Sequence, residues 1–135
     1  MRKGTSTILK LRSNAGNIQQ IEHYVNKIAE QHRLAPDTYG NILISLTEAV
    51  NNAMIHGNKL DESKFVEVRT VLENGKLQFS IADQGCGFDP KSVPDPTTKE
   101  NCSKCGGRGV FLMRKLADRC HFKDNGRTVE MDFKL

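Results

Sequence analysis

The stretch Leu46-Thr-Glu-Ala-Val-Asn-Asn-Ala-Met-Ile-His-Gly-Asn58 decides how this chain is read. At about 100° per residue it forms one helix. Its main apolar stripe centres on Leu46 and takes in Ile42, Val50 and Ala53. Glu48 and Asn52, one turn apart, fall nearly opposite that stripe, with Ile44 and Ile55 beside them. An ordinary surface helix carries charges on that side. One carboxylate and one amide framed by isoleucines predict a second covered face, with a ligand as the cover.

Working outward, Pro36-Asp37 starts this helix, with Asp37 as the expected N-cap, and Gly57-Asn58 ends it. Upstream, Ile18, Ile21, Val25 and Ile28 give an amphipathic helix over about 15–32, and Thr5 to Leu11 suits a first strand. Downstream, Phe65 to Leu72 reads as a strand. Glu73-Asn74-Gly75-Lys76 follows as a hairpin turn, because Asn-Gly accepts the positive φ of type I′. Leu77, Phe79 and Ile81 then alternate with Gln78 and Ser80, and the same parity aims Asp83 inward at the strand's end. A carboxylate so placed needs a partner. Residues 84–107 are rich in Gly and Pro and show no period, and a loop of that length in a small domain is commonly functional. A helix over about 108–118 turns Val110, Met113, Leu116 and Ala117 inward. Cys120 and Phe122 suit a strand, Asn125-Gly126 a second hairpin turn, and Val129, Met131 and Phe133 a last inward row.

The expected fold is a two-layer α/β sandwich, with a mostly antiparallel, mixed sheet and three helices on one face. At 135 residues the chain reads as a single domain, 1–135, with room for a core that needs neither disulfide nor metal. The net charge of +4 is scattered and not gathered into a basic run, which argues against direct nucleic-acid binding. No apolar stretch approaches the roughly 20 residues of a membrane span. Met1-Arg-Lys runs into Gly-Thr-Ser-Thr and not into an apolar block, so no signal peptide is read and a cytoplasmic place is expected. The four Cys are then expected as thiols. Cys102-Ser-Lys-Cys105 has the spacing of a zinc or redox pair, which Cys86 or Cys120 would have to complete.

Three features carry chemistry. The Asn52 amide can ligate a hard cation such as Mg²⁺, and Glu48 can take a hydroxyl proton. In Asp83-Gln-Gly-Cys-Gly-Phe88, Gly85 and Gly87 allow backbone to approach a flat ligand, and Asp83 can accept from an exocyclic amine. Cys105-Gly-Gly-Arg-Gly-Val-Phe111 runs straight into a helix, so its free N–H groups and dipole suit a phosphate. No Gly-Lys-Ser/Thr makes it a Walker loop, and no parallel βαβ unit makes it a dinucleotide fingerprint. Taken singly, each has a plain alternative: a solvated polar face, a capped strand end, a flexible loop. His56 reads as structural, with a favourable place near the helix end if protonated.

In order and spacing, these features resemble the nucleotide site of the GHKL ATPase/kinase superfamily over about residues 5–135. Glu48 to Asn52 resembles its N box, Asp83 to Gly87 its G1 box and Gly106 to Gly109 its G2 box. The wording of Glu48 to Gly57 is most similar to the anti-sigma factor serine/threonine kinases. The resemblance implies a GHKL ATP-binding fold with ATP and Mg²⁺ as cofactors. It implies Asn52 on Mg²⁺, Glu48 as catalytic base, Asp83 on the adenine amine, and Gly85 and Gly87 walling the base pocket. It implies a lid at about 91–105 and a phosphate cradle of Gly107, Arg108, Gly109 and Val110, with Lys104 as the nearby basic residue. The implied partners are a sigma factor, a STAS-type anti-anti-sigma protein as phosphoacceptor, and a second copy of the chain in a homodimer. The chain departs from the pattern at two places. Cys105 stands where relatives often have a basic residue, and Arg127 stands directly after Gly126 where they often have Thr. A non-catalytic partner-binding module remains the alternative, though it has no need of Glu48. A histidine kinase's ATP-binding domain is opposed by the short interval between the G1 and G2 boxes.

Overall fold

The computed structural model describes residues 5–85 and 107–135. Period-two alternation builds a five-stranded sheet. Its strands are β1 (Thr5–Arg12), β2 (Phe65–Glu73), β3 (Lys76–Ala82), β4 (Arg119–Lys123) and β5 (Thr128–Lys134), in the order β1-β2-β3-β5-β4. Each of its four pairings is antiparallel, so the expectation of a mixed sheet is corrected. The reason is local: β2–β3 and β4–β5 are hairpins, and β5 returns beside β3 in the opposite sense. Register aligns the apolar rows across the sheet. Val68 faces Ile81, Ile81 faces Val129, Phe79 faces Met131 and Leu77 faces Phe133. Phe79 and Phe133 meet edge to face at 5.9 Å between ring centroids.

Helices α1 (Gln19–His32), α2 (Pro36–Asn52) and α3 (Gly107–Leu116) close one side of this core. Ile21, Val25 and Ile28 of α1, Ile42, Leu46 and Val50 of α2, and Val110 and Met113 of α3 are all buried. α1 is preceded by a tight 3-10 turn, Ala15–Ile18, in which Asn14 accepts from the Gly16 N–H at 2.8 Å. Tyr24 pins α1 to the sheet, its hydroxyl meeting Thr7 at 2.9 Å and also Thr70. Tyr39 of α2 donates to Asn26 of α1 at 2.5 Å. The residue before α2 is Ala35, with extended backbone and Pro36 at the first helical position. Asp37 therefore sits inside the first turn and not at the N-cap, favoured there by the helix dipole. The opposite face of the sheet carries ion pairs. Glu130 holds His121 and Lys123 at 2.7 Å each, and Asp132, only 4% exposed, meets Gln78 at 3.0 Å and Lys76 at 3.5 Å.

The decisive helix does not run unbroken to Gly57. Past Asn52 it widens into a π-helical turn, Ala53–Gly57, closed by the Asn58 N–H on the Ala53 carbonyl at 2.8 Å. A wider turn advances less per residue than an α-turn. That carries Met54, which lay off the stripe centred on Leu46, into the core at 1% exposure. The reversal to left-handed backbone falls on Lys59 and Leu60, both at φ 55°, and not on Gly57 or Asn58.

Asn58 has another task. It is fully buried, its Oδ1 accepts from the Gln84 N–H at 2.7 Å, and its Nδ2 donates to Ser13 Oγ at 2.7 Å and to the Phe65 carbonyl at 3.0 Å. The Phe65 N–H in turn donates to Gln84 Oε1 at 2.7 Å. One amide thus ties the end of α2 to the segments after β1, at the start of β2 and after β3. A buried polar group left without its partner costs about 1–3 kcal/mol. Asn58→Ala strands more than one, so urea unfolding should show a loss of about 3 kcal/mol.

Candidate functional site

Glu48 and Asn52 do lie on one side of α2, and what they face is α3. A side-chain carbon placed on Gly109 would stand 2.9 Å from the Asn52 amide nitrogen and 3.0 Å from Glu48 Oε2. Both polar groups therefore close on the first turn of α3, at a position where any larger residue would push them aside. The predicted second cover is thus provided in part by the protein's own helix. Ile44 and Ile55 stay 46% and 42% exposed, so the remainder of that face is open.

The first turn of α3 lacks intrahelical partners for its N–H groups, which points them and the positive dipole end at any anion brought there. Gly107, Arg108, Gly109 and Val110 make up this turn. Val110 is buried at 3%, so its contribution to an anion site is its backbone alone.

The second half of the site is built where β3 ends. The Asp83 N–H extends the ladder by one bond, donating to the Arg127 carbonyl at 2.9 Å. The Asp83 side chain then bends back, and Oδ1 accepts from the Gly85 N–H at 2.8 Å. This is the partner that the inward carboxylate needed. Burial pushes the Asp83 pKa above the ordinary carboxylate value. The Gly85 N–H and the Arg127 guanidinium pull it partly back.

Asp83 and Gly85 lie against the last residue of the π-helical turn. A methyl group on Gly57 would overlap the Asp83 carboxyl, and one on Gly85 would overlap the Gly57 carbonyl. The Gly85 and Gly57 backbones touch here, and the Asp83 carboxyl packs directly on Gly57. α2 is therefore the common wall. Near its end it faces the first turn of α3, and five residues later, in the π-helical turn, the chain abuts the Asp83 turn. His56, in that same stretch, is held below its ordinary pKa by burial and then by Lys59, which favours its neutral form.

Gly87, Lys104, Cys86, Cys102, Cys105 and the segment 91–105 lie outside the described residues. Cys120 is a free thiol whose pKa burial pushes up to about 11, which makes it a poor metal ligand or nucleophile. Among the described residues no three His, Cys, Asp or Glu side chains are grouped to hold a metal ion. None of the helices there is long and apolar enough to cross a membrane.

Sequence reasoning passed over Asn58, Gln84 and Arg127. Asn58 stood as a helix terminator, Gln84 as a loop residue and Arg127 as a departure from a pattern. No spacing rule links them, because Ser13 and Gln84 lie 45 and 26 residues from Asn58, and Gly85 lies 42 from Arg127.

Comparison with known proteins bears on the family and the fold. The family described as the histidine kinase-like ATPase domain matches residues 11–133. The serine-protein kinase RsbW of Bacillus licheniformis is 32% identical over 114 residues, covering 77% of this chain and 69% of that protein. An anti-sigma F factor of Clostridium perfringens is 29% identical over 101 residues, covering 70% of this chain and 71% of that one. One of Geobacillus stearothermophilus is 31% identical over 85 residues, 61% of this chain and 58% of that protein. In three dimensions, a Mycobacterium tuberculosis structure of RsbU and RsbW domains superposes with a TM-score of 0.70 at 13% identity. It covers 97% of this chain, which spans about a third (32%) of that longer one, and the likeness is one of fold.

The contact between Gly57 and the Asp83 turn can be tested directly. Gly57→Ala must move the Asp83 carboxyl, and overpacking of this kind costs about 1–3 kcal/mol. Thermal unfolding should show that loss. Amide chemical-shift changes should centre on residues 83–85 and be small in β1.

Proposed function

The chain belongs to the histidine kinase-like ATPase family, and from that premise we propose that it is an anti-sigma factor with ATP-dependent serine/threonine kinase activity. The observation that carries the reading is the shared approach of Glu48 and Asn52 to Gly109 at the start of α3. A base, a cation ligand and an anion-binding helix end then meet at one place.

The residues fit the cofactors. Asp83, half-buried, offers a carboxylate to the amine of adenine, beside backbone kept bare by Gly85 and Gly57. The N–H groups of residues 107–110 take the phosphates. Asn52 supplies an amide oxygen to Mg²⁺, which commonly takes one or two protein ligands and completes its shell with water and phosphate oxygens. When bound, Mg²⁺ neutralises charge on the phosphates. Glu48 takes the proton of a serine or threonine hydroxyl of the partner protein as that oxygen attacks the terminal phosphoryl group, and ADP leaves. α2 holds Glu48 and Asn52 one turn apart, so base and cation ligand address the same phosphoryl group. Gly87, Lys104 and a lid at 91–105 complete the nucleotide site in this reading.

The relatives' names give a serine-protein kinase and an anti-sigma factor, and the partners belong to this reading. The phosphoacceptor is a STAS-type anti-anti-sigma protein, and its phosphorylation frees the kinase to hold a sigma factor away from RNA polymerase. The protein works in the cytoplasm as a homodimer and contacts neither nucleic acid nor membrane itself.

Two substitutions separate the roles. Glu48→Ala should leave ATP affinity nearly unchanged and lower phosphotransfer by about 10²–10⁴-fold, because a base acts in the transition state. Asn52→Ala should weaken Mg·ATP binding at least tenfold, about 1.4 kcal/mol. Calorimetry and transfer of radiolabelled phosphate read the two effects. Wild-type protein that binds a sigma factor yet never transfers phosphate would leave a binding module in place of a kinase.

A further inference from the structure

We propose that Arg127 is a positioning residue that sets the preference for adenine over guanine at the base end of the site. The inference rests on the reading that Asp83 meets the base.

The turn at residues 83–85 is held from two sides. Gly57 abuts it from the end of α2. On the other side Arg127 makes a reciprocal clasp: its carbonyl accepts from the Asp83 N–H at 2.9 Å, and its Nε–H donates to the Gly85 carbonyl at 2.8 Å. The guanidinium is itself oriented, with Nη1 3.4 Å from both the carbonyl and the Oδ1 of Asp124. A planar group with fixed donors suits such a clasp better than a flexible ammonium. Because Oδ1 of Asp83 is occupied by the Gly85 N–H, the direction in which the carboxylate can still accept is fixed by the turn, and the turn is fixed by Arg127.

Charge adds a second effect. An ionised Asp83 accepts from the exocyclic amine of adenine and repels the carbonyl oxygen that guanine carries at that position. A protonated Asp83 can donate to that oxygen, so neutralisation erodes the discrimination. Burial favours the neutral form and Arg127 opposes it. The other charges acting on Asp83 are Asp124 of the same β4–β5 turn, which favours protonation, and Lys64 before β2, which opposes it. From the π-helical turn the neighbour is Gly57, which is uncharged. The sign follows. ATP affinity is steady while Asp83 is ionised and falls as pH drops through its pKa. Removing Arg127 raises that pKa, so the fall begins at higher pH.

The test measures affinity for ATP and GTP with Mg²⁺ between pH 5 and 8 in the full chain. Arg127→Met should lower ATP affinity about tenfold, narrow the ATP/GTP ratio by a similar factor, and move the acid fall of ATP binding upward in pH. Arg127→Gln keeps a donor where Nε lies but no charge. It should recover most of the affinity while keeping the shifted pH profile. Arg127→Lys keeps the charge without that donor. It should recover the pH profile while leaving affinity reduced. Circular dichroism checks each fold, and if Arg127→Met unfolds, the Gln and Lys pair carries the test. An equal loss for both nucleotides with an unmoved pH profile would overturn the proposal and leave Arg127 a structural brace. Wild type that binds neither nucleotide would overturn the kinase reading itself, and this inference with it.

Discussion

The structure turns on a place where two backbones touch. Gly85 after β3 lies so close to the Gly57 backbone that it tolerates no side-chain carbon, and Gly57 tolerates none because the Asp83 carboxyl packs on it. Close approach of this kind brings polar backbone out of water, and each buried N–H and carbonyl then needs a partner. Asn58 meets most of that need. Its single buried amide satisfies the Gln84 N–H, the Phe65 carbonyl and Ser13, three points far apart in the chain. Arg127 meets the rest from the β4–β5 turn. The contact, the amide and the guanidinium form one assembly, and the Asp83 carboxylate is its product.

From that assembly α2 acts as a ruler. One end is anchored at Gly57 against Asp83, while Asn52 and Glu48, about one and two turns back, face Gly109. The π-helical turn lies between the two halves of the site, where Ala53 to Gly57 widen the helix and bury Met54. Such turns break the regular ladder, and here core packing and the Asn58 network offset the loss. The placement links fold to chemistry: core residues on one side of α2 set its axis, and its polar side inherits the geometry. The rest of the sheet is less constrained. Its far face is held by ion pairs such as Glu130 with Lys123 and His121. Those pairs are partly exposed and contribute little each.

Elements with strong local signals were legible from the chain. The Asn74-Gly75 hairpin has the positive φ values, 55° and 73°, that its residues suggested. The alternation of Leu77, Phe79 and Ile81 became a buried row. Glu48 and Asn52 shared a face because helical spacing requires it. Where local signals competed, the reading slipped. Asp37 is a good capping residue, but Pro36 with its preset φ took the first helical position. The stretch through Gly57 has an α-helical pattern to its last residue, yet the backbone widens after Asn52, and Asn58 just beyond joins a buried network that no local pattern signals. A sheet expected to be mixed proved antiparallel throughout, since strand order follows from which edge β5 joins.

By itself, then, the sequence determined the class of fold, the family and the pairing of Glu48 with Asn52, because these depend on periodicity and on residues near one another in the chain. Only the tertiary structure decided that Gly109 stands against that pair, that Gly57 stands against Asp83, and that Asn58 and Arg127 hold the turn between them. The physical reason is range. Helical and strand periods act over a few residues. A hydrogen bond between Arg127 and Gly85, 42 positions apart, exists only once the sheet has closed and brought their backbones within reach.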